Sequence, residues 1–399
     1  MGSHRAAIYR LSAARAISVT GSQIAMIALT YRVYQLTDSA VWVSAVFLAT
    51  FAFMGVLTPI GGWLGDRYDR RTIMIASDLG AAAVFVALAF ADQPWLLIVL
   101  ALVATICEMP FLPASQAAIP NLASDEDLAW ANGLVSQAFS LGITVGPLIG
   151  GVLVGAVGTG AAFGINAASF VLSAALVWSV RVRFQERRVA AGAAAPAVPF
   201  SEGARVAWRV RTLRLLILSE VVAWSVVGWA MVSDAPLADL FGTGAIGFAA
   251  LIAFWGVGML LGSAVAGRRL GQRPIEAAVY LGAMIATGLG VAACGLSPWF
   301  WLILVLSVLG GAGSGAGNVA RQTLLQRTVP DHVRSRVFAV AEVTASVSFT
   351  LGLAVAGPVI ESIGVQRAYV LSGAVFLFGA AILIPLVRTP DAPEGPAAA

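Results

Sequence analysis

Twelve apolar runs of bilayer-spanning length fill this sequence, near residues 16–36, 41–64, 72–91, 95–115, 134–156, 161–180, 213–235, 245–267, 275–294, 299–317, 337–360 and 367–387. A membrane-crossing helix needs about 20 mostly apolar residues, and inside a bilayer every backbone N–H and C=O must be paired. The runs therefore predict a polytopic helical membrane protein. A composition of 59% hydrophobic and 11% charged residues excludes a water-soluble globule, for which about 25% charged would be ordinary. All 24 basic residues are Arg. Without Lys, a P-loop lysine, a Schiff-base lysine and a catalytic lysine are all excluded, so neither a cofactor nor ATP-driven work by this chain is expected. Cys107 and Cys294 fall inside apolar runs and read as buried small hydrophobes. No leader peptide is separable from the first run.

The arginines set an orientation. With the N-terminus inside, 22 of them fall on inner segments and only Arg32 and Arg367 on the other side. The positive-inside rule then places both termini in the cytoplasm, with an even number of spans. The net charge of +4 lies along loops facing an anionic leaflet and not in a nucleic-acid patch.

The organisation is bipartite. An Ala- and Pro-rich polar interval divides the spans six and six, which predicts an N-terminal bundle at 1–182, a cytoplasmic linker at 183–210, a C-terminal bundle at 211–389 and a disordered tail at 390–399. Two features repeat between the halves. Gly65-Asp66-Arg67-Tyr68-Asp69-Arg70-Arg71 after span 2 is answered about 202 residues later by Gly267-Arg268-Arg269-Leu270-Gly271-Gln272-Arg273, and Gly146-Pro147 by Gly357-Pro358, 211 residues on. Parallel six-helix repeats commonly enclose a midplane substrate site.

On these residues the chain resembles the major facilitator superfamily. Gly61-Gly62-Trp63-Leu64-Gly65-Asp66-Arg67-Tyr68-Asp69-Arg70-Arg71 is similar to its signature between helices 2 and 3, with Asp69 where a second glycine is usual. Gly142-Ile143-Thr144-Val145-Gly146-Pro147-Leu148-Ile149-Gly150-Gly151 resembles the helix 5 motif of drug:proton antiporters. Phe111 to Pro120, followed by Ala131-Asn132-Gly133-Leu134, resembles the enterobactin-exporter-like, or transmembrane secretion effector, branch. The resemblance implies twelve helices in two pseudo-symmetric six-helix bundles, and a monomeric transporter in the bacterial inner membrane. It also implies a gate formed by Gly62, Gly65, Asp66, Arg67, Arg70, Arg71 and Asp78, in which Asp66 engages the start of helix 11 near Asp331 to Arg336. Physically, a carboxylate at a helix end among arginines can exchange partners between them and a helix N-terminus. Gly142, Gly146 and Gly150 recur at four-residue spacing, giving one smooth helix face for close packing, and Pro147 removes a backbone hydrogen bond. The family associates that motif with export. Gly310 to Gly317 reads as intramembrane packing, not a phosphate cradle.

Carboxylates inside apolar runs are costly and mark functional positions. Asp78, Glu108, Glu220 and Glu342 qualify. At about 1.5 Å per residue each stands about 10 Å from the inner face. The resemblance makes helix 3 peripheral and helices 4, 7 and 11 cavity-lining, so Asp78 is read as a partner of the nearby arginines, and Glu108, Glu220 and Glu342 as candidates for proton or substrate coupling. Removing a carboxylate from water favours its protonated form, which lets a proton compete with a cationic substrate. Phe111, Trp224, Met231, Phe254, Trp255 and Ser346 are candidate cavity residues, aromatic faces being suited to flat or cationic ligands. No metal-ligand spacing or nucleophile motif appears, so the chain is not expected to be an enzyme.

The expected function is proton-coupled export of hydrophobic or amphipathic small molecules by alternating access. Export of an endogenous siderophore or antibiotic, uptake by proton symport, and a non-transporting sensor or scaffold remain as alternatives. Nearly all arginines are expected at loops, which disfavours an anionic substrate.

Overall fold

A computed structural model describes residues 2–52, 67–123, 128–180, 182, 184, 200–270, 275–329 and 331–388. The described residues are helical almost throughout: α1 (Gly2–Thr37), α2 (Ala40–Phe51), α3 (Arg70–Phe90), α4 (Pro94–Glu108), α5 (Phe111–Leu122), α6 (Leu128–Ser179), α7 (Phe200–Arg209), α8 (Arg211–Leu240), α9 (Gly244–Leu270), α10 (Glu276–Leu296), α11 (Phe300–Thr328), α12 (Asp331–Ile363) and α13 (Val365–Arg388). Gly62, Gly65, Asp66 and the linker from 185 to 199 lie outside the described residues.

Among the described residues nine segments are long and apolar enough to cross a membrane. The difference from the expected twelve runs has local causes. Run 16–36 lies in α1, where Ser18, Thr20, Ser22 and Gln23 dilute the apolar character. Run 41–64 continues beyond Phe51 into residues not described. Runs 134–156 and 161–180 form the single element α6, interrupted at Gly158 with φ of 84°. Positive φ is open to glycine at little cost, so the chain turns there without a loop. Run 95–115 remains one apolar span, Pro94–Gln116, although a turn at Met109 and Pro110 separates α4 from α5 within it, Pro110 having no N–H to continue the ladder.

The chain divides into two compact units, Met1–Ala193 with Ala238–Ala253, and Ala194–Leu237 with Phe254–Ala399. In the first, α1 packs along α6 over the glycine face. A Cβ at Gly142 would stand 2.7 Å from Val19 Cγ1, one at Gly146 2.5 Å from Gln23 Cβ, and one at Gly150 3.0 Å from Ile24 Cα. At these distances an added Cβ would force the neighbouring residues of α1 to shift. Ile8, Leu11, Met74, Phe111, Leu122 and Val177 form an apolar core at the arginine-rich end of this unit.

The second unit repeats the device. Gly228 faces Leu353, Gly352 faces the Ser225 carbonyl, and Trp229 Nε1 donates to Gly352 O at 3.1 Å, joining α8 to α12. Within α11, Gly310 and Gly311 receive Trp255 of α9, while Gly313 meets Thr287 of α10. The glycine-rich stretch is thus a packing surface. Leu213, Leu216, Met284, Leu325, Phe376 and Leu383 contribute to the core of this unit. The expected linker contains structure at its end, since α7 packs against α12 with Ala207 buried and Trp208 exposed.

Much of the exposed surface is apolar, including Val86, Val171, Leu172, Val347 and Leu351. Trp95, Trp178, Trp299 and Trp301 are also exposed at helix ends, where amphipathic rings suit a membrane interface. Such surface is stable against lipid, not water.

Candidate functional site

In the first unit Glu108 closes α4. The partial negative charge of a helix C-terminus opposes a carboxylate there, so Glu108 depends on other partners. Ser22 of α1 donates to its Oε2 at 3.1 Å. Arg15, also of α1, interacts electrostatically with both Glu108 and Asp78. Its guanidinium lies over the rings of Phe139 and Phe111, 5.1 and 6.0 Å from their centroids, a cation–π seat. Asp78 of α3 is buried and its Oδ2 accepts no hydrogen bond. Asp78 was expected beside Arg67, Arg70 and Arg71; its electrostatic partners include Arg15 and Glu108.

In the second unit Arg321 of α11 joins two acids. Its Nη1 is 3.3 Å from Glu220 Oε1 on α8, and its Nη2 donates to Glu342 Oε1 on α12 at 3.1 Å. The Glu220 side chain is 2% exposed and that of Glu342 63%. Glu220 is held by charge at a longer reach than a well-formed charged hydrogen bond, and Glu342 by a hydrogen bond in the open. Tyr280 of α10 faces the same group and is buried.

Arg15 and Arg321 correct the expectation that the arginines near the acids sit at loops. α1 begins at Gly2 and α11 runs to Thr328, well beyond the apolar runs at 16–36 and 299–317. Helix ends follow caps and packing, while hydropathy follows the bilayer. One acid was missed as well. Asp234 of α8 receives a hydrogen bond from Tyr369 of α13. It stands one residue inside the end of run 213–235 and reads as marginal in the sequence. Its spacing from Glu220 is fourteen residues, close to four turns, so both project from one side of α8. That spacing was the available signal.

The described part of the gate motif is a helix start. Asp69 is the N-cap of α3, its Oδ1 accepting from Thr72 N at 2.9 Å and Thr72 Oγ1 at 3.1 Å. The departure from glycine therefore makes a cap. Arg71 donates to Trp178 O, and Arg10 to Ser179 O at 2.7 Å. Two guanidinium groups thus satisfy carbonyls left open at the end of α6. At the opposite end of the unit Arg32 pairs with Asp92 at 2.6 Å.

The cavity candidates separate. Phe111 is buried beneath Arg15. Trp224 meets Phe349 edge-to-face at 5.9 Å. Trp255 packs on the α11 glycines. Phe254 and Ser346 are exposed, and Met231 is half-buried. Gly151 faces Ala249 within the first unit. No group of three or more His, Cys, Asp or Glu arranged to hold a metal occurs among the described residues.

The sequence profile of the Major Facilitator Superfamily matches residues 11–278 and 269–399. The chain is 28% identical over 387 residues to an uncharacterized MFS-type transporter, YfiS, of Bacillus subtilis, covering 92% of this chain and 90% of the relative. It is 29% identical over 398 residues to the multidrug efflux pump Tap of Mycolicibacterium fortuitum, covering 94% and 95%. It is 26% identical over 350 residues to the multidrug resistance protein MdtG of Enterobacter lignolyticus, covering 85% and 81%. In fold it is similar to the nucleoside transporter NupG, with a TM-score of 0.76, 11% identity and coverage of 96% and 99%. It is likewise similar to an inward-facing bacterial homolog of the human lysosomal transporter Spinster, with a TM-score of 0.72, 16% identity and coverage of 96% and 97%. With nearly its whole length matched, and with helices of membrane-spanning length throughout, this chain belongs to the Major Facilitator Superfamily.

Proposed function

We propose that the protein is a monomeric twelve-helix secondary transporter of the bacterial inner membrane, both termini cytoplasmic, exporting hydrophobic or amphipathic small molecules in exchange for protons by alternating access. The observation that carries this reading is the placement of carboxylates in apolar surroundings against arginine, Glu220 on Arg321 and Glu108 beside Arg15. A carboxylate there is expensive to keep ionised, and a proton or a cationic substrate can each relieve that cost. The likeness to Tap, a multidrug efflux pump, and to MdtG, a multidrug resistance protein, supports export of drugs. The helix 5 motif Gly142, Gly146, Pro147, Gly150 and Gly151 supports the same direction through its likeness to drug:proton antiporters.

In this reading Asp66 is the latch between helices 2 and 3, with Arg67, Arg70 and Arg71 around it. The test is ethidium efflux from cells expressing the protein at equal surface level. Wild type lowers ethidium accumulation and a protonophore abolishes the effect. Asp66→Asn reduces the efflux rate at least tenfold. Protonophore-insensitive efflux refutes the coupling, and wild-type rates in Asp66→Asn refute the latch.

A further inference from the structure

The second unit begins with α7, a helix of 10 residues too short to span a membrane. Its described residues sort onto two faces. Ala207 is buried in the core of the unit with Val337 and Val340 of α12, and Ala204, Val206 and Val210 pack against that core. Arg205, Trp208 and Arg209 are exposed, and spacings of three and four residues set them on one side of the helix. We propose that this outward side of α7 is a binding site for the phosphate headgroup of an anionic glycerophospholipid.

Position is the first argument for a lipid. The membrane-spanning stretch of α8 is Arg211–Leu240, so the exposed indole of Trp208 stands three residues ahead of it, where such a ring suits the bilayer interface. Because α12 covers the apolar side of α7, that side is not offered to acyl chains; the helix presents charge and one indole. Charge is the second argument. Residues 200–214 contain four arginines and one acid, Glu202. Arg211 donates to Pro385 O at 3.4 Å, and Arg214 to Trp208 O at 3.3 Å, which draws its guanidinium back to the end of α7. Arg205 and Arg209 form no ion pair among the described residues. Like charges four residues apart on a helix repel, and an anion bound between them relieves the repulsion.

A phosphodiester matches this surface. Its two non-bridging oxygens accept from two guanidinium groups, whose planar forks favour phosphate over other anions, and Arg214 adds positive charge at the helix end. Trp208 gives the glycerol backbone and first acyl methylenes an aromatic face. The rest of the headgroup decides selectivity: phosphatidylglycerol leaves the phosphate charge uncancelled, whereas the ammonium of phosphatidylethanolamine is repelled by the arginines. The first unit offers a contrast at its own arginine-rich end. Trp178 is exposed there too, but the neighbouring Arg71 and Arg10 donate to Trp178 O and Ser179 O. Those guanidinium groups serve helix carbonyls, while Arg205 and Arg209 face outward.

Native mass spectrometry of the purified full chain, titrated with phosphatidylglycerol or phosphatidylethanolamine of identical acyl chains, measures the affinity of the first bound lipid. Wild type prefers phosphatidylglycerol by about tenfold or more, each arginine at a membrane surface contributing about fivefold. Arg205→Gln and Arg209→Gln each weaken phosphatidylglycerol binding by about fivefold, and the double variant by about thirtyfold, with phosphatidylethanolamine binding unchanged. Trp208→Ala weakens both lipids and keeps their ratio, because the indole does not read charge. Inorganic phosphate does not displace phosphatidylglycerol. Equal binding of the two lipids by wild type, or wild-type phosphatidylglycerol affinity in the double variant, overturns the proposal; displacement by inorganic phosphate assigns the site to a soluble anion and overturns it as well. Both arginines are exposed, and wild-type melting temperatures show that the variants are folded; if the double variant melts early, each single variant decides the test. No readout involves export, so the result is independent of the transport reading.

Discussion

Asp69 illustrates how much one residue decides locally. At the first turn of α3 its carboxylate accepts from the Thr72 amide at 2.9 Å, satisfying a donor that the helix leaves open. Asp69→Ala is expected to cost about 1 kcal/mol and Asp69→Gly only a few tenths, with Asp69→Asn near wild type. Thermal unfolding in detergent measures the order. The sequence marked Asp69 only as a departure from a motif, since a cap is recognised from the dihedral angles of its residue and the distance to N3. The acids were legible for a simpler reason: Asp78, Glu108, Glu220 and Glu342 interrupt apolar runs, where any charge stands out. Their arginines were not, because Arg15 and Arg321 are separated from the acids by 21 to 101 residues along the chain.

Glycine spacing is decisive for whole elements. On α6, Gly142, Gly146 and Gly150 lie against α1, whereas a Cβ at Gly164 of the same helix meets nothing within 4 Å. Gly146→Leu is expected to force α1 and α6 apart, costing about 1 to 3 kcal/mol or more, while Gly164→Ala is neutral or stabilising by up to about 1 kcal/mol through helix propensity. Melting temperature and monodispersity on size exclusion distinguish them; equal loss in both would refute the seam. The four-residue spacing predicted a smooth face but could not name its partner. Element boundaries were the less legible part. Glycine conformation at Gly158 and proline at Pro110 alter helices within or between apolar runs, and α1 and α11 continue past the bilayer-like stretch, because hydrogen bonding and packing set the ends of a helix.

At the scale of the whole molecule, several arginines within helices meet acids: Arg15 interacts with Glu108 and Asp78, Arg321 with Glu220 and Glu342, Arg32 with Asp92 and Arg327 with Glu276. In each of the two groups around Arg15 and Arg321, acidic residues outnumber arginine two to one. Under the proposed function, cells expressing the protein should accumulate several-fold less ethidium and unchanged amounts of an anionic amphiphile of similar size, measured by fluorescence with and without a protonophore. Equal exclusion of both would show that charge does not select the substrate.

Membrane embedding, helical class and the family were already determined by the sequence, because apolar runs and scarce charges report the solvent each segment meets, and that is a local property. Its acids and its glycine faces could be found the same way. Which arginine each carboxylate meets, that Asp69 caps a helix and that α6 carries its break at Gly158 were decided only in three dimensions. Electrostatic partnership and close packing depend on distances between helices remote in sequence, and no single run contains that information.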